Sequence, residues 1–164
     1  MDRDREIVRL VETYSDAVLR LSLSFLGNTA DAADICQTVF LRLIARNPEF
    51  KTPEQEKAWV LTTAANACRD LLRSPWRRRR SSLEDCGELT APPPPEGEVT
   101  ALVQLLPAKY RTVIELYYDE GYDAAEIASI LGTKPGTVYT RLKRGREQLR
   151  QILEGIPDEE STGV

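Results

Sequence analysis

The chain has 164 residues, 41% of them hydrophobic and 29% charged, with a formal net charge of −4. That balance suits one domain or two small ones, and no apolar run approaches the roughly 20 residues a membrane span needs. Cys36, Cys68 and Cys86 lie far apart without metal-ligand spacing, and histidine is absent, which argues against a disulfide framework, a zinc site and the commonest general base.

The start, MDRDREIVRL, is charged and helical in pattern rather than a signal peptide, so a cytoplasmic location is expected. Ile7, Leu10, Val11, Tyr14, Val18, Leu21 and Phe25 recur at spacings of three and four, predicting an amphipathic helix that stops at Gly27-Asn28. A second helix is expected from about Ala30 to Arg46. Ala32, Cys36, Val39, Phe40 and Leu43 share one side of it, and Asp34, Gln37, Thr38, Leu41 and Ala45 the other. A leucine on a polar face is weak evidence of a partner taken singly, because exposed leucines are common.

Thr52-Pro53-Glu54-Gln55 reads as a capping box with proline at the first helical position, opening a third helix that runs to Arg73 before Ser74-Pro75. Its core stripe is Ala58, Leu61, Ala65, Cys68 and Leu72. Trp59, Thr62, Asn66, Arg69, Asp70 and Arg73 lie along another side, followed by Trp76 and the run Arg77-Arg78-Arg79-Arg80. A stacking surface beside positive charge is the combination that holds single-stranded nucleic acid. Trp59 also fits a core position at the helix edge, and the arginine run also fits a solvated tail; the sequence leaves both open. The three helices make an N-terminal domain of residues 1–80.

Between Ser81 and Pro95 the composition turns acidic and includes four consecutive prolines, which reads as an extended linker over 81–98 between two domains that move semi-independently. A C-terminal domain is expected over 99–155. It opens with Leu102, Leu105 and Leu106 on one short helix and continues with a helix from Pro107 through Tyr118. Residues 156–164 are an acidic tail.

The segment from Asp123 to Leu149 carries the strongest local pattern. Asp123 and Glu126 form a capping box, Tyr122 and Ile127 a hydrophobic staple, and Gly132 can take the left-handed conformation that ends a helix. A second helix starts at Pro135. At about 100° per residue Val138, Leu142, Gly145 and Leu149 fall on one face, opposite Gly136, Thr140, Lys143, Arg144 and Glu147. From Lys134 to Arg150 six basic side chains stand against one acidic, in a chain of negative net charge. These features agree on a helix-turn-helix that neutralises phosphates. No glycine-rich phosphate loop, nucleophile elbow or spaced carboxylate pair accompanies it, so no enzyme, catalytic residue, metal or cofactor is expected.

DAADICQTVFLRL at 31–43, AWVLTTAANACRDLLRS at 58–74 and the stretch from Leu106 to Arg150 together resemble an extracytoplasmic-function sigma factor of the sigma-70 family, in that family's order and spacing. The resemblance implies an all-α fold of two small helical domains, similar to sigma regions 2 and 4. It implies core RNA polymerase as a partner through the β′ clamp helices and the β flap, with Asp34, Gln37, Thr38 and Leu41 facing it. Promoter DNA would be met twice. Trp59, Thr62, Asn66, Arg69 and Arg73 would open and hold the −10 element. Lys134, Thr137, Tyr139, Thr140, Arg141, Lys143, Arg144 and Arg146 would serve the −35 element. An anti-sigma factor is implied as a regulator; no small-molecule substrate or direct membrane insertion is. Departures from the family pattern stand at Ala33 and Thr38, where acids are usual, at Lys134, where serine or threonine commonly caps the recognition helix, and at Tyr139, often basic. The reading that rests on the C-terminal motif alone is a stand-alone helix-turn-helix transcriptional regulator.

Overall fold

The computed structural model describes residues 2–74 and 102–155, and every regular element among them is helical. Trp76, Arg77 to Arg80, Cys86, the linker and the acidic tail lie outside the described residues. Three long helices come first: α1 Asp2–Leu26, α2 Thr29–Arg46 and α3 Pro53–Arg73. Leu10, Tyr14, Ala17, Val18 and Leu21 make the buried stripe of α1, and it packs on both α2 and α3. Ile35, Val39, Phe40 and Leu43 meet it from α2; Val60, Leu61, Ala64, Ala65 and Cys68 meet it from α3. Small residues on α3 let the helices approach closely.

The breaks between helices have local causes. Gly27 at φ 74° closes α1, and the Asn28 side chain accepts a 2.8 Å hydrogen bond from the Asp31 N–H to cap α2. Asn47, at φ 48°, ends α2 in the left-handed region that asparagine tolerates. Thr52 caps α3 by accepting from the Gln55 N–H, with Pro53 in the first turn. The expected reciprocal half of that capping box is displaced: Gln55 Oε1 accepts from Lys51 N–H at 2.8 Å, one residue before the cap.

The C-terminal half consists of α4 Ala108–Ile114, a π-helical turn Glu115–Asp119, α5 Ala124–Leu131 and α6 Pro135–Gly155. The single helix expected from Pro107 to Tyr118 is thus two pieces, joined where the Glu120 N–H reaches back to the Glu115 carbonyl at 3.2 Å. Such widenings mark functional positions in many helices. Here it turns Tyr117 and Tyr118 outward while Glu115 stays buried. In the short leading segment, where Leu102, Leu105 and Leu106 were expected on one helix, only 102–103 are helical before a turn; Leu106 is buried and Leu105 is 66% exposed.

Helix α6 docks through Val138, Leu142 and Gly145. A β-carbon at Gly145 would fall 2.7 Å from Ile114 Cδ1 and 3.3 Å from Tyr110 Cβ, so glycine is what lets α6 lie against α4. Gly145→Val is therefore expected to lower stability by about 1–3 kcal/mol through overpacking, despite the helix-propensity gain; urea denaturation followed by circular dichroism reads it.

The two halves are not independent in this structure. Helix α1 packs against α4 and the π turn, and α3 packs against α5. The linker composition led to an expectation of halves that move semi-independently; their described residues are clasped here by contacts that composition does not encode. No helix among the described residues is long and apolar enough to cross a membrane.

Candidate nucleic-acid interface

The helix-turn-helix is built as its local sequence dictates. Asp123 accepts from the Glu126 N–H and Glu126 accepts from the Asp123 N–H, both at 2.9 Å, completing the capping box of α5. Gly132 takes φ 68°, and its N–H and that of Thr133 both donate to the Ala128 carbonyl. The turn leads into α6, where the Lys134 carbonyl accepts from Thr137 and Val138. The Lys134 carbonyl thus receives the first hydrogen bonds of α6, as the residue before a helix does.

With Val138 and Leu142 anchored beneath, Tyr139, Thr140, Lys143 and Arg144 stand exposed, Tyr139 at 65%. Thr137 and Arg141 are half-buried on one flank, beside exposed Lys134. A concavity of ≈ 310 Å³ there is lined by Lys109, Tyr110, Gly136, Thr137, Thr140, Arg141 and Arg144. Lys109, whose Nζ lies 5.2 Å from the Tyr110 ring centroid, joins this basic rim although it precedes the helix-turn-helix in sequence. The pattern of α6 alone could not reveal it. Arg146 sits on the other flank, where its Nε donates to the Tyr118 hydroxyl at 2.7 Å and its guanidinium lies over both tyrosine rings of the π turn.

On α3, Trp59 takes the core position at the helix edge while staying partly exposed. It is half-buried against the core and meets Phe50 edge-on with centroids 6.1 Å apart. Thr62 is half-buried, Asn66 and Arg73 are exposed, and Arg69 lies between them. Arg69 is engaged: Nη2 donates to Asn66 Oδ1, and Nη1 donates to the Leu131 carbonyl of α5 at 2.7 Å. Burial lowers its pKa from the ordinary arginine value. On α2, Asp34, Gln37 and Leu41 are exposed, Leu41 at 59%, and Thr38 is half-buried. Ile44, at 44%, extends that apolar surface by one turn.

A charged cluster ties the halves together, and the sequence reading missed it. Arg111 of α4 donates through Nε to the Ser24 carbonyl near the end of α1 at 2.7 Å, and through Nη1 to the carbonyls of Gln104 and Leu106. Arg20 of α1 donates to Glu120 at 2.9 Å, and Lys57 of α3 reaches the other oxygen of the same carboxylate at 3.0 Å. Glu115 is buried with neither oxygen hydrogen-bonded, 3.7 Å from Arg20 Nε. Burial, with Glu120 beside it, pushes the Glu115 carboxyl well above its ordinary range. Arg111 and Glu115 are spaced i, i+4, so the sequence suggested at most a pair along one helix; each faces α1 instead. Burial also pushes the Cys68 thiol up to about 12, leaving it an apolar filler rather than a reactive group.

Comparison with known proteins follows the same division. The family model for Sigma-70 region 2 matches residues 10–78, and that for Sigma-70, region 4 matches residues 96–149. The chain is 34% identical over 155 residues to the ECF RNA polymerase sigma factor SigE of Mycolicibacterium smegmatis, covering 88% of this chain and 60% of that one. It is 32% identical over 165 residues to the ECF RNA polymerase sigma factor SigW of Bacillus subtilis, covering 90% and 88%. Among solved structures, CnrH in complex with the cytosolic domain of CnrY matches with a TM-score of 0.63 at 25% identity, covering 94% of this chain and 91% of that one. The sigma factor RpoE in complex with the anti-sigma factor NepR from Bartonella quintana matches with a TM-score of 0.68 at 20% identity, covering 95% and 99%, a likeness of fold. Two matched regions in the order of the two helical halves, and a relative matched over nearly its whole length, mean that the chain belongs to the extracytoplasmic-function group of the sigma-70 family.

Proposed function

We propose that the chain is a promoter-specificity subunit of RNA polymerase without catalytic activity of its own, acting in the cytoplasm. The observation that carries this reading is α6: an apolar stripe fixes it on α4 and α5, so a row of exposed Tyr139, Thr140, Lys143 and Arg144 is held rigidly for a major groove. Those four read base edges of the −35 element, and Lys134, Thr137, Arg141 and Arg146 meet phosphates, with Lys109 added by its place on the basic rim. Arg146 does so after leaving Tyr118, or holds the helix flank by staying there. Trp59, Thr62, Asn66, Arg69 and Arg73 hold the unpaired −10 strand, where stacking and positive charge offset the few kcal/mol of unstacking. Asp34, Gln37, Thr38 and Leu41 face the β′ clamp helices, and the C-terminal domain meets the β flap. An anti-sigma factor, of the kind named in the complex of the fold relative RpoE, fits as the regulator.

Transcription in vitro with purified core polymerase and a pool of genomic fragments tests the whole reading. Initiation at a defined subset of promoters is the expected result; no core binding and no directed start would refute it. Two substitutions test its parts. Arg144→Ala is expected to cost about 1–3 kcal/mol in −35 affinity and to relax preference at one position if Arg144 reads a base. Equal loss on all sequences, measured by fluorescence anisotropy at fixed salt, would make it a phosphate contact. Leu41→Asp is expected to weaken core-polymerase binding by tenfold or more, about 1.4 kcal/mol, with the melting temperature nearly unchanged, since Leu41 is exposed.

A further inference from the structure

Helix α6 rests on α4 over a glycine. Val138, Leu142 and Gly145 are its buried residues, and at Gly145 there is no side chain to interlock with Tyr110 and Ile114. A helix seated this way is held close but weakly restrained against rotation about its own axis, because interlocking side chains are what fix that angle. The next residue supplies a restraint. Arg146 donates through Nε to the Tyr118 hydroxyl at 2.7 Å, and the carbon of its guanidinium lies 5.4 and 5.7 Å from the centroids of the Tyr117 and Tyr118 rings. The two rings meet edge to face with centroids 4.9 Å apart, so they present one surface to the cation.

The π turn makes this surface. Tyr110, Ile114 and Tyr117 are spaced by four and three residues, so an unbroken α-helix would carry Tyr117 onto the face that meets Gly145. Over Glu115–Asp119 the winding is wider, with the Glu120 N–H reaching the Glu115 carbonyl. Leu116 is fully buried instead, and Tyr117 and Tyr118 come out at 37% and 57% exposure beside Arg146. Such turns are rare and recur at functional sites. Arg146 itself is poorly placed to leave for DNA. It lies seven residues past Tyr139, about 10 Å further along α6, whereas a recognition helix contacts base edges with its N-terminal residues. Its Nε is already engaged, and its charge already rests on two rings.

We infer that Arg146 is a positioning residue of the −35 reader and not a phosphate contact: held by the Tyr118 hydroxyl over the paired rings of the π turn, it fixes the rotation of α6 and with it the direction in which Tyr139, Thr140, Lys143 and Arg144 point. The inference rests on the proposed −35 role of α6 and assigns Arg146 one of the two parts open to it there. A binding constellation works only while its groups stay within about 10–20° of the productive geometry. With Gly145 at the contact, loss of the clamp lets α6 turn through that range without unfolding. Every base-edge contact then degrades together. Loss of one base contact differs, because it relaxes one position. Loss of a phosphate contact differs again, because it weakens all sequences equally and lowers the salt dependence.

The full chain carrying Arg146→Ala, Tyr118→Ala or both tests this, with Lys134→Ala, an exposed cation on the phosphate-facing flank, for comparison. The probe is a −35 duplex from a promoter mapped by the transcription assay, together with duplexes changed at each position, read by fluorescence anisotropy. Both single variants are expected to bind about three- to tenfold more weakly, with no further loss in the double variant, as for two residues acting through one contact. Preference at several positions falls together. The slope of log affinity against log salt stays that of the wild type in Arg146→Ala, but is less steep by about one in Lys134→Ala. Residual dipolar couplings of the α6 amides, compared with those of α4 and α5, are expected to change in both single variants at unchanged helicity. A salt slope lowered by about one in Arg146→Ala, with Tyr118→Ala binding as well as wild type, would make Arg146 a phosphate contact and overturn the inference. So would additive losses in the double variant, or α6 couplings identical to wild type in Tyr118→Ala. If the wild type prefers no −35 duplex over random DNA, the −35 role of α6 fails on its own, and the couplings alone then decide whether the clamp sets the helix.

Discussion

Replacing Leu142 with alanine is expected to destabilise the C-terminal domain by about 2–5 kcal/mol, because the side chain is 2% exposed where α6 meets α4 and α5 and its removal leaves a cavity as well as a transfer cost. The comparison that gives the measurement meaning is Arg144, two residues along and on the opposite face. Leu142→Ala should lower the urea midpoint and speed amide exchange throughout α6, and it should lose −35 affinity only in proportion to the fraction unfolded. Arg144→Ala should leave exchange unchanged and lose affinity directly. If Leu142→Ala kept wild-type stability yet abolished DNA binding, the docking face and the reading face of α6 would have been assigned the wrong way round.

That pair of faces was legible in the sequence because everything that sets it is close along the chain. The cap at Asp123, the αL glycine at 132, the proline at 135 and the periodicity of Val138, Leu142 and Gly145 are signals within a few residues of one another. The outward placement of Asp34, Gln37 and Leu41 followed from period alone in the same way. The clasp was not legible, and the reason is separation: Arg69 and Leu131 are 62 residues apart, Arg111 and Ser24 are 87, Arg20 and Glu120 are 100. Nothing local distinguishes an arginine that will cap a distant helix from one that will stay in water. The π turn belongs to the same class. Its wider winding leaves Glu115 and Glu120, one π turn apart, both against the N-terminal half, which the three- and four-residue spacing of an ordinary helix does not anticipate. Leu105 is a local case that period and composition did not decide. It was expected only to share a short helix with Leu102 and Leu106, and of the neighbouring pair Leu106 is buried and Leu105 exposed.

Glu115 gives the clasp a pH dependence whose sign can be worked out. Burial is the main cause of its raised pKa, and the neighbouring Glu120 and Asp119 act in the same direction against Arg20 of α1; Lys57 of α3 is held by Glu120 instead. A carboxyl whose pKa is higher in the packed state takes up a proton on packing, so below its ordinary value of 4.5 its ionisation costs nothing. Through the window from there to its raised value each rise in pH weakens the packed state, and above that window the full cost of a buried carboxylate is present. Glu120 runs the other way: although its own burial raises its pKa, the neighbouring Glu115 together with Lys57 and Arg20 lower it on balance, so its contribution is lost only as pH falls below 4.5. Between pH 5 and 8 the slope that distinguishes these two groups therefore belongs to Glu115. Glu115→Leu removes the ionisable group and fills its volume, and it is expected to stabilise the chain by about 1–4 kcal/mol at pH 8, the range found when buried charges give way to apolar groups. That advantage should shrink steadily toward pH 5, as protonation relieves the wild type. Melting temperatures of the two proteins across this range, taken as a difference so that all other groups cancel, give the result directly. A gap that stays constant from pH 5 to 8 would mean that Glu115 is ionised throughout and satisfied by Arg20, and that the clasp carries no proton.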